Sequence, residues 1–138
     1  MSEMIVDATV ENIETITAYV DARLEEMHCP VKLQRQVDIA IDEIVGNIAR
    51  YAYAPGIGQV AVRVEFAEQP LAVVLSFEDS GVPFDPLHQA DPNTTLAAED
   101  REIGGLGIYM VKKCMDSVSY VYKDGKNILT IGKRMDCV

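Results

Sequence analysis

The chain has no tryptophan, three cysteines, two histidines and 12 Lys and Arg against 22 Asp and Glu among its 138 residues. Each shortage closes off a class of function. A net charge of −10 repels a phosphate backbone, so nucleic acid is not an expected partner. Cys29, Cys114 and Cys137 are odd in number and lack CxxC spacing, which fits free thiols rather than a disulfide framework or a zinc site. His28 beside Cys29 is at most half a metal site, since His88 is the only other histidine. No apolar run approaches the ~18 residues that span a bilayer. The acidic start "MSEMIVDATVENIE" lacks the basic flank and apolar core of a secretory signal. The expectation is a cytoplasmic protein with no membrane partner.

Internal repeats and low-complexity segments are also missing, and 49% hydrophobic with 25% charged residues is a globular mixture. One domain over residues 1–138 is expected. A short strand near residues 3–8 precedes a helix over about 11–27, where Ile13, Ile16, Val20, Leu24 and Met27 recur at helical spacing. Pro30 opens a second helix, about 31–53, with Leu33, Val37, Ile41, Ile44, Ile48 and Tyr51 on one stripe. "QVAVRVEF" and "LAVVLSFED" alternate as a hairpin with one wet face. After a long irregular stretch come a third helix, about 105–116, and a last hairpin turning at "DGK". This order predicts the α+β class: a two-layer α/β sandwich whose mainly antiparallel mixed sheet is covered on one face by three helices.

Three stretches carry polar groups where packing alone does not need them. In "DEIVGNIARYAY", Glu43 and Asn47 fall about 40° apart on one border of the apolar stripe, while Asp42 faces solvent. They are either a helix-surface pair or a carboxylate and an amide oxygen at a cleft, where the oxygen suits Mg²⁺ and the carboxylate can orient a nucleophile. In the strand ending "FEDSGVPFDP", Asp79 shares a face with Leu71, Val73, Leu75 and Phe77. A buried carboxylate needs a donor, either a backbone N–H in the Ser80–Gly81 turn or a ligand amino group such as adenine N6.

The third stretch, "REIGGLGIYMVKK", crowds glycines at a helix start, each costing about 1 kcal/mol relative to alanine. It is either a flexible turn or an anion site, where bare N–H groups and the helix dipole meet phosphates. Other nucleotide motifs fit badly: there is no GxxxxGK[ST], and "GLGIYM" lacks the last glycine of GxGxxG. Ser80, Asp85 and His88 do not form a nucleophile elbow. Tyr51, Tyr53 and Tyr109 are read as packing residues, and Lys112 and Lys113 as solvated.

Taken together, "EIVGN", "DSGVPFDP" and "GGLGIYMVKKCMD" resemble the N box and the two glycine boxes of the GHKL ATPase superfamily. More narrowly, the chain is similar to the stand-alone anti-sigma-factor serine kinases, from about residue 10 to 135. The resemblance implies a Bergerat ATP-binding fold with ATP and Mg²⁺ between helices and sheet, under a lid at about residues 86–104. It implies that Asn47 ligates Mg²⁺, that Asp79 accepts from adenine N6 and that Gly81, with Pro83 and Phe84, shapes the adenine turn. Gly104, Gly105, Leu106 and Gly107 would lie at the phosphates, Arg50 beside them and Thr130 on the last strand. Glu43 would be the base that takes a proton from an acceptor serine or from water. Such kinases phosphorylate a STAS-domain anti-anti-sigma protein, and some hold a sigma factor as a dimer, so a sigma factor and a second copy are further candidate partners. Arg50 stands where many relatives have histidine, and "GKN", Gly125 to Asn127, replaces a Gly-Thr pair, removing a hydroxyl contact. The rival expectation is an ATP-gated protein-binding module with little or no phosphotransfer.

Overall fold

The computed structural model describes residues 2–68, 70–88 and 105–135, and for His88, Gly105 and Leu106 the backbone alone. Its elements are β1 (Ser2–Asp7), α1 (Ile13–Glu26), α2 (Val31–Asn47), β2 (Gln59–Ala67), β3 (Ala72–Asp79), α3 (Gly105–Cys114), β4 (Ser117–Lys123) and β5 (Lys126–Arg134). One sheet in the order β1-β2-β3-β5-β4 holds all the strands, and each of its four pairings is antiparallel. The α+β sandwich expected from the element order is therefore present.

Alternation decides which face is covered. Val60, Val62 and Val64 of β2, Val73, Leu75 and Phe77 of β3, and Leu129 and Ile131 of β5 are buried. They pack with Ile16, Val20 and Leu24 of α1, Leu33, Val37, Ile41 and Ile44 of α2, and Val111 of α3. The opposite face is mixed, with Ile5 and Val121 exposed on it, and Arg63 bridges it, at 2.5 Å from Glu3 and 2.9 Å from Glu78. The β4–β5 turn uses Asp124 and Gly125 at φ 55° and 77°, both in the left-handed region that a two-residue hairpin of this hand needs. That tight turn fixes the register, and the register sets Asn127 opposite Asp79 across β3 and β5.

Two helix ends depart from simple periodicity. α2 runs straight into a π-helical turn, Ile48–Ala52. The wider winding brings Ala52 under the apolar stripe, and Tyr51, expected on it, is 43% exposed. At the end of α1, His28 adopts φ 57° and its N–H donates to the Glu25 carbonyl, while the Cys29 N–H donates to that of Leu24. This is a Schellman cap. His28 and Cys29 thus end a helix, and no metal-binding group of three or more His, Cys, Asp and Glu occurs among the described residues. Also among these residues, no helix is long and apolar enough to cross a membrane.

A buried polar contact lies between α1 and α2. Asp21 Oδ1 and Asp38 Oδ1 are buried, and neither has a donor among the described residues. Burial first, then the hydrogen bond with Asp21 and repulsion from it, push the Asp38 carboxyl up to about 7. A folded pKa above the unfolded value stabilises fully below the unfolded one and is lost as pH rises through the folded one. Stability should therefore fall between about pH 4 and pH 8. Asp38→Asn supplies a permanent donor to Asp21 and should flatten that dependence, raising stability at pH 8 by about 1 kcal/mol after solvent screening. Thermal melts of both proteins across this pH range check it.

Candidate functional site

At one end of the sheet, α2, its π turn, the ends of β3 and β5 and the start of α3 surround a cleft. Its floor is apolar, built by Ile44, Ile48, Phe77, Ile108 and Leu129, and its polar groups include Asn47, Asp79, Tyr120 and Asn127. An apolar cavity with a few convergent polar groups is how small-molecule sites are made.

Helical spacing builds the α2 side. Arg50 Nη2 donates to Asn47 Oδ1 at 3.1 Å, and Asn47 Nδ2 donates to Glu43 Oε1 at 3.2 Å. Asn47 Oδ1 keeps one lone pair beyond the bond from Arg50. It is a hard oxygen at the cleft, which suits Mg²⁺, an ion that keeps waters and needs few protein ligands. Burial raises the Glu43 carboxyl above its ordinary range, and Asn47 and Arg50 oppose the shift. Opposite lies α3: a Cβ at Gly107 would stand 2.1 Å from Glu43 Oε2. The carboxylate therefore rests on bare backbone in the first turn of that helix, its favourable end for an anion.

The sheet side is built around Asp79, 6% exposed at the end of β3. Its Oδ1 accepts from the Gly81 N–H at 2.9 Å and from Asn127 Nδ2 at 3.0 Å. Oδ2 has no hydrogen bond among the described residues, and Asp79 lines the cleft. Burial raises its pKa, against those two bonds. Both sources of a donor raised by the sequence are thus compatible, because the turn uses one oxygen and leaves the other.

The loop after β3 is pinned from three directions. The Val82 N–H donates to the Ala52 carbonyl at 3.0 Å, the Ser80 N–H donates to Tyr53 Oη at 2.7 Å, and Tyr53 Oη donates to the Gln59 carbonyl at 2.6 Å. From β5, Asn127 Nδ2 reaches the Val82 carbonyl at 2.9 Å, and its Oδ1 accepts the Phe84 N–H at 3.1 Å and the Tyr120 hydroxyl. Gly81 is needed because a Cβ there would lie 2.3 Å from the Ala52 carbonyl oxygen.

Asn47, Asp79 and Phe84 thus line the cleft, while Glu43, Arg50 and Gly81 do not line it but contact Asn47 or Asp79, and Gly107 lies against Glu43. Pro83 lies exposed in the pinned loop and does not line the cleft. Gly105 and Leu106 open α3 in backbone, while Gly104 and residues 89–104 of the expected lid lie outside the described residues. Pro86–His88, where that lid would begin, form a 3₁₀ turn.

Thr130 is a correction. It pairs with Ser76 and Ser119 on the uncovered face of the sheet, one position out of phase with Asn127, Leu129 and Ile131. Strand alternation turns it away from the cleft. The residues the sequence reading missed as site components are Asn127, Tyr120 and Tyr53. Asn127 did carry a signal: a polar residue in phase with buried Leu129 and Ile131, the pattern that identified Asp79.

The chain belongs to the Histidine kinase-like ATPase domain family, which it matches over residues 6–133. Serine/threonine-protein kinase BtrW of Bordetella bronchiseptica is 28% identical over 100 residues, 72% of this chain and 70% of BtrW. Serine-protein kinase RsbW of Bacillus thuringiensis is 28% identical over 95 residues, 66% of this chain but 58% of that protein. In structure, the RsbU and RsbW domains of Rv1364c from Mycobacterium tuberculosis match at a TM-score of 0.67 and 18% identity, over 98% of this chain and 33% of that one. The histidine kinase domain of the Erythrobacter litoralis EL346 blue-light activated histidine kinase matches at 0.54 and 16% identity, over 77% and 46%. At such identities these likenesses establish a shared fold.

The close approach at Gly81 is testable. Because the opposing atom is backbone, Gly81→Ala should cost about 1–3 kcal/mol. A chemical denaturation curve measures it, with Gly125→Ala as a comparison in which no atom lies within 4 Å and the cost is backbone strain alone.

Proposed function

We propose that the cleft binds ATP with Mg²⁺ and that the chain is a protein-serine kinase of the anti-sigma-factor type, acting in the cytoplasm on a STAS-domain anti-anti-sigma protein. One observation carries the reading: an unpaired oxygen of buried Asp79, the amide oxygen of Asn47 and the first turn of α3 lie around one apolar cleft. They suit the two ends of a purine nucleotide. Asp79 Oδ2 accepts from the adenine amino group, and the apolar floor covers the ring. The N-terminus of α3 attracts the phosphates through its free N–H groups and dipole.

Asn47 Oδ1 would hold Mg²⁺, which when bound neutralises developing charge on the phosphates. Arg50, on the same rim, adds a fixed positive charge. Glu43 accepts the proton of the substrate serine as its Oγ bonds to the γ-phosphorus and the bond to the ADP oxygen breaks. A carboxyl raised by burial is a better base near neutral pH than an exposed one, and the bond from Asn47 orients it. The relatives named as serine kinases support the reaction class. The acidic net charge suits a protein rather than a polyanion as acceptor.

Glu43→Gln keeps an acceptor for Asn47 but no base. It should lower phosphotransfer to a STAS protein by about 10²–10⁴-fold and leave ADP affinity nearly unchanged. Labelled ATP with a cognate STAS protein, beside calorimetry of ADP, measures both quantities. Binding of ATP by the wild type without transfer to any STAS protein would replace the kinase by an ATP-gated binding module.

A further inference from the structure

The carboxamide of Asn127 is 6% exposed, stands in register with Asp79 and is fully used. An amide side chain has two N–H donors and two lone pairs on oxygen. One N–H goes to Asp79 Oδ1 at 3.0 Å and one to the Val82 carbonyl at 2.9 Å, with the Gly81 carbonyl farther away at 3.5 Å. Its oxygen accepts the Phe84 N–H at 3.1 Å and the Tyr120 hydroxyl. Nothing remains on Asn127 to donate to a ligand, although the residue lines the cleft. What it does instead is hold Asp79 by one oxygen, together with the Gly81 N–H, so that the other oxygen is left to the cleft as an acceptor.

We propose that Asn127 is the positioning residue that sets nucleobase preference here: it fixes Asp79 as a one-sided acceptor and selects 6-amino over 6-oxo purines. The inference rests on the reading of the cleft as a nucleotide site. A 6-amino group donates to Asp79 Oδ2, whereas a 6-oxo group turns a lone pair toward it and leaves both groups unpaired. Without the Asn127 donor, Asp79 loses one of the two bonds that oppose the rise in its pKa. It then takes up a proton more easily, and as a neutral acid it donates to a 6-oxo group, which erodes the preference. Among the described residues, Tyr53 and Tyr120, whose hydroxyls burial pushes upward, lie near enough to feel the Asp79 charge, and Asp85 and Tyr122 lie near Tyr120.

The experiment measures the affinities of ADP and IDP between pH 5.5 and pH 8 for the wild type, Asn127→Leu and Tyr120→Phe, with thermal melts reporting folding. The wild type should prefer ADP by roughly 100-fold across the range. In Asn127→Leu, which is close in size and has no donor, the ratio should fall about 10-fold, and fall further as the pH is lowered. A purely structural loss weakens both nucleotides together and leaves the ratio and its pH profile unmoved. Tyr120→Phe, which removes only the hydroxyl donor to Asn127, should lower the ratio about 2–5-fold. A folded Asn127→Leu with the wild-type ratio overturns the role of Asn127, and if that variant does not fold, an unchanged ratio in Tyr120→Phe does so. Failure of the wild type to bind either nucleotide overturns instead the reading of the cleft.

Discussion

A carboxylate buried at the end of a central strand has to be held by donors or it does not stay charged. Asp79 meets that requirement with one turn N–H and one amide from the neighbouring strand. The amide is in reach only because β5 pairs with β3 in a register that sets Asn127 opposite Asp79. The register in turn depends on a two-residue turn at Asp124 and Gly125. A one-residue slip would place Lys126 or Ile128 there and turn Asn127 to the far face. The site is thus built into the hydrogen-bond ladder of the sheet rather than added to a loop.

The glycines have a complementary part, since they mark where backbone has to come close to another group. Gly81 lets the loop after β3 touch the Ala52 carbonyl, which the π turn leaves free to accept the Val82 N–H. Gly107 lets α3 rest against the Glu43 carboxylate. That contact answers why a helix start carries glycines at a cost of about 1 kcal/mol each. At Gly107 the gain is proximity between α2 and α3, and a methyl group would push the carboxylate aside.

Much of this was legible in the residues. Alternation in β2 and β3 named the buried face and placed Asp79 on it, and helical spacing put Glu43 and Asn47 on one border of α2. These are local periodicities, and the sheet and helices obey them. Asn127 was read as the loss of a hydroxyl, although the same alternation marks it as a buried polar residue beside Leu129 and Ile131. Thr130 failed for the matching reason, being one residue out of phase. The π turn could not be read, because its winding depends on packing Ala52 and on the partner its carbonyl finds across the chain. Tyr53 as a staple between Ser80 and Gln59 is likewise a long-range fact.

Arg50 ties several of its neighbours together. Its guanidinium hydrogen-bonds Asn47 Oδ1 and lies over the Tyr51 ring, 5.8 Å from its centre. A Cβ on Gly46 would come within 3.3 Å of it, so the absence of a side chain at Gly46 lets the guanidinium fold back along the helix. The bond polarises the Asn47 carboxamide, and that amide is also the donor to Glu43. A positive charge three residues from Asn47 therefore acts on Glu43 twice, through space and through the amide, and both effects favour the ionised carboxylate. Burial between α2 and α3 pulls the other way and is the larger influence. The balance leaves a half-buried carboxyl raised by its surroundings and partly offset by a nearby cation, the poise that the proposed role of a base asks for.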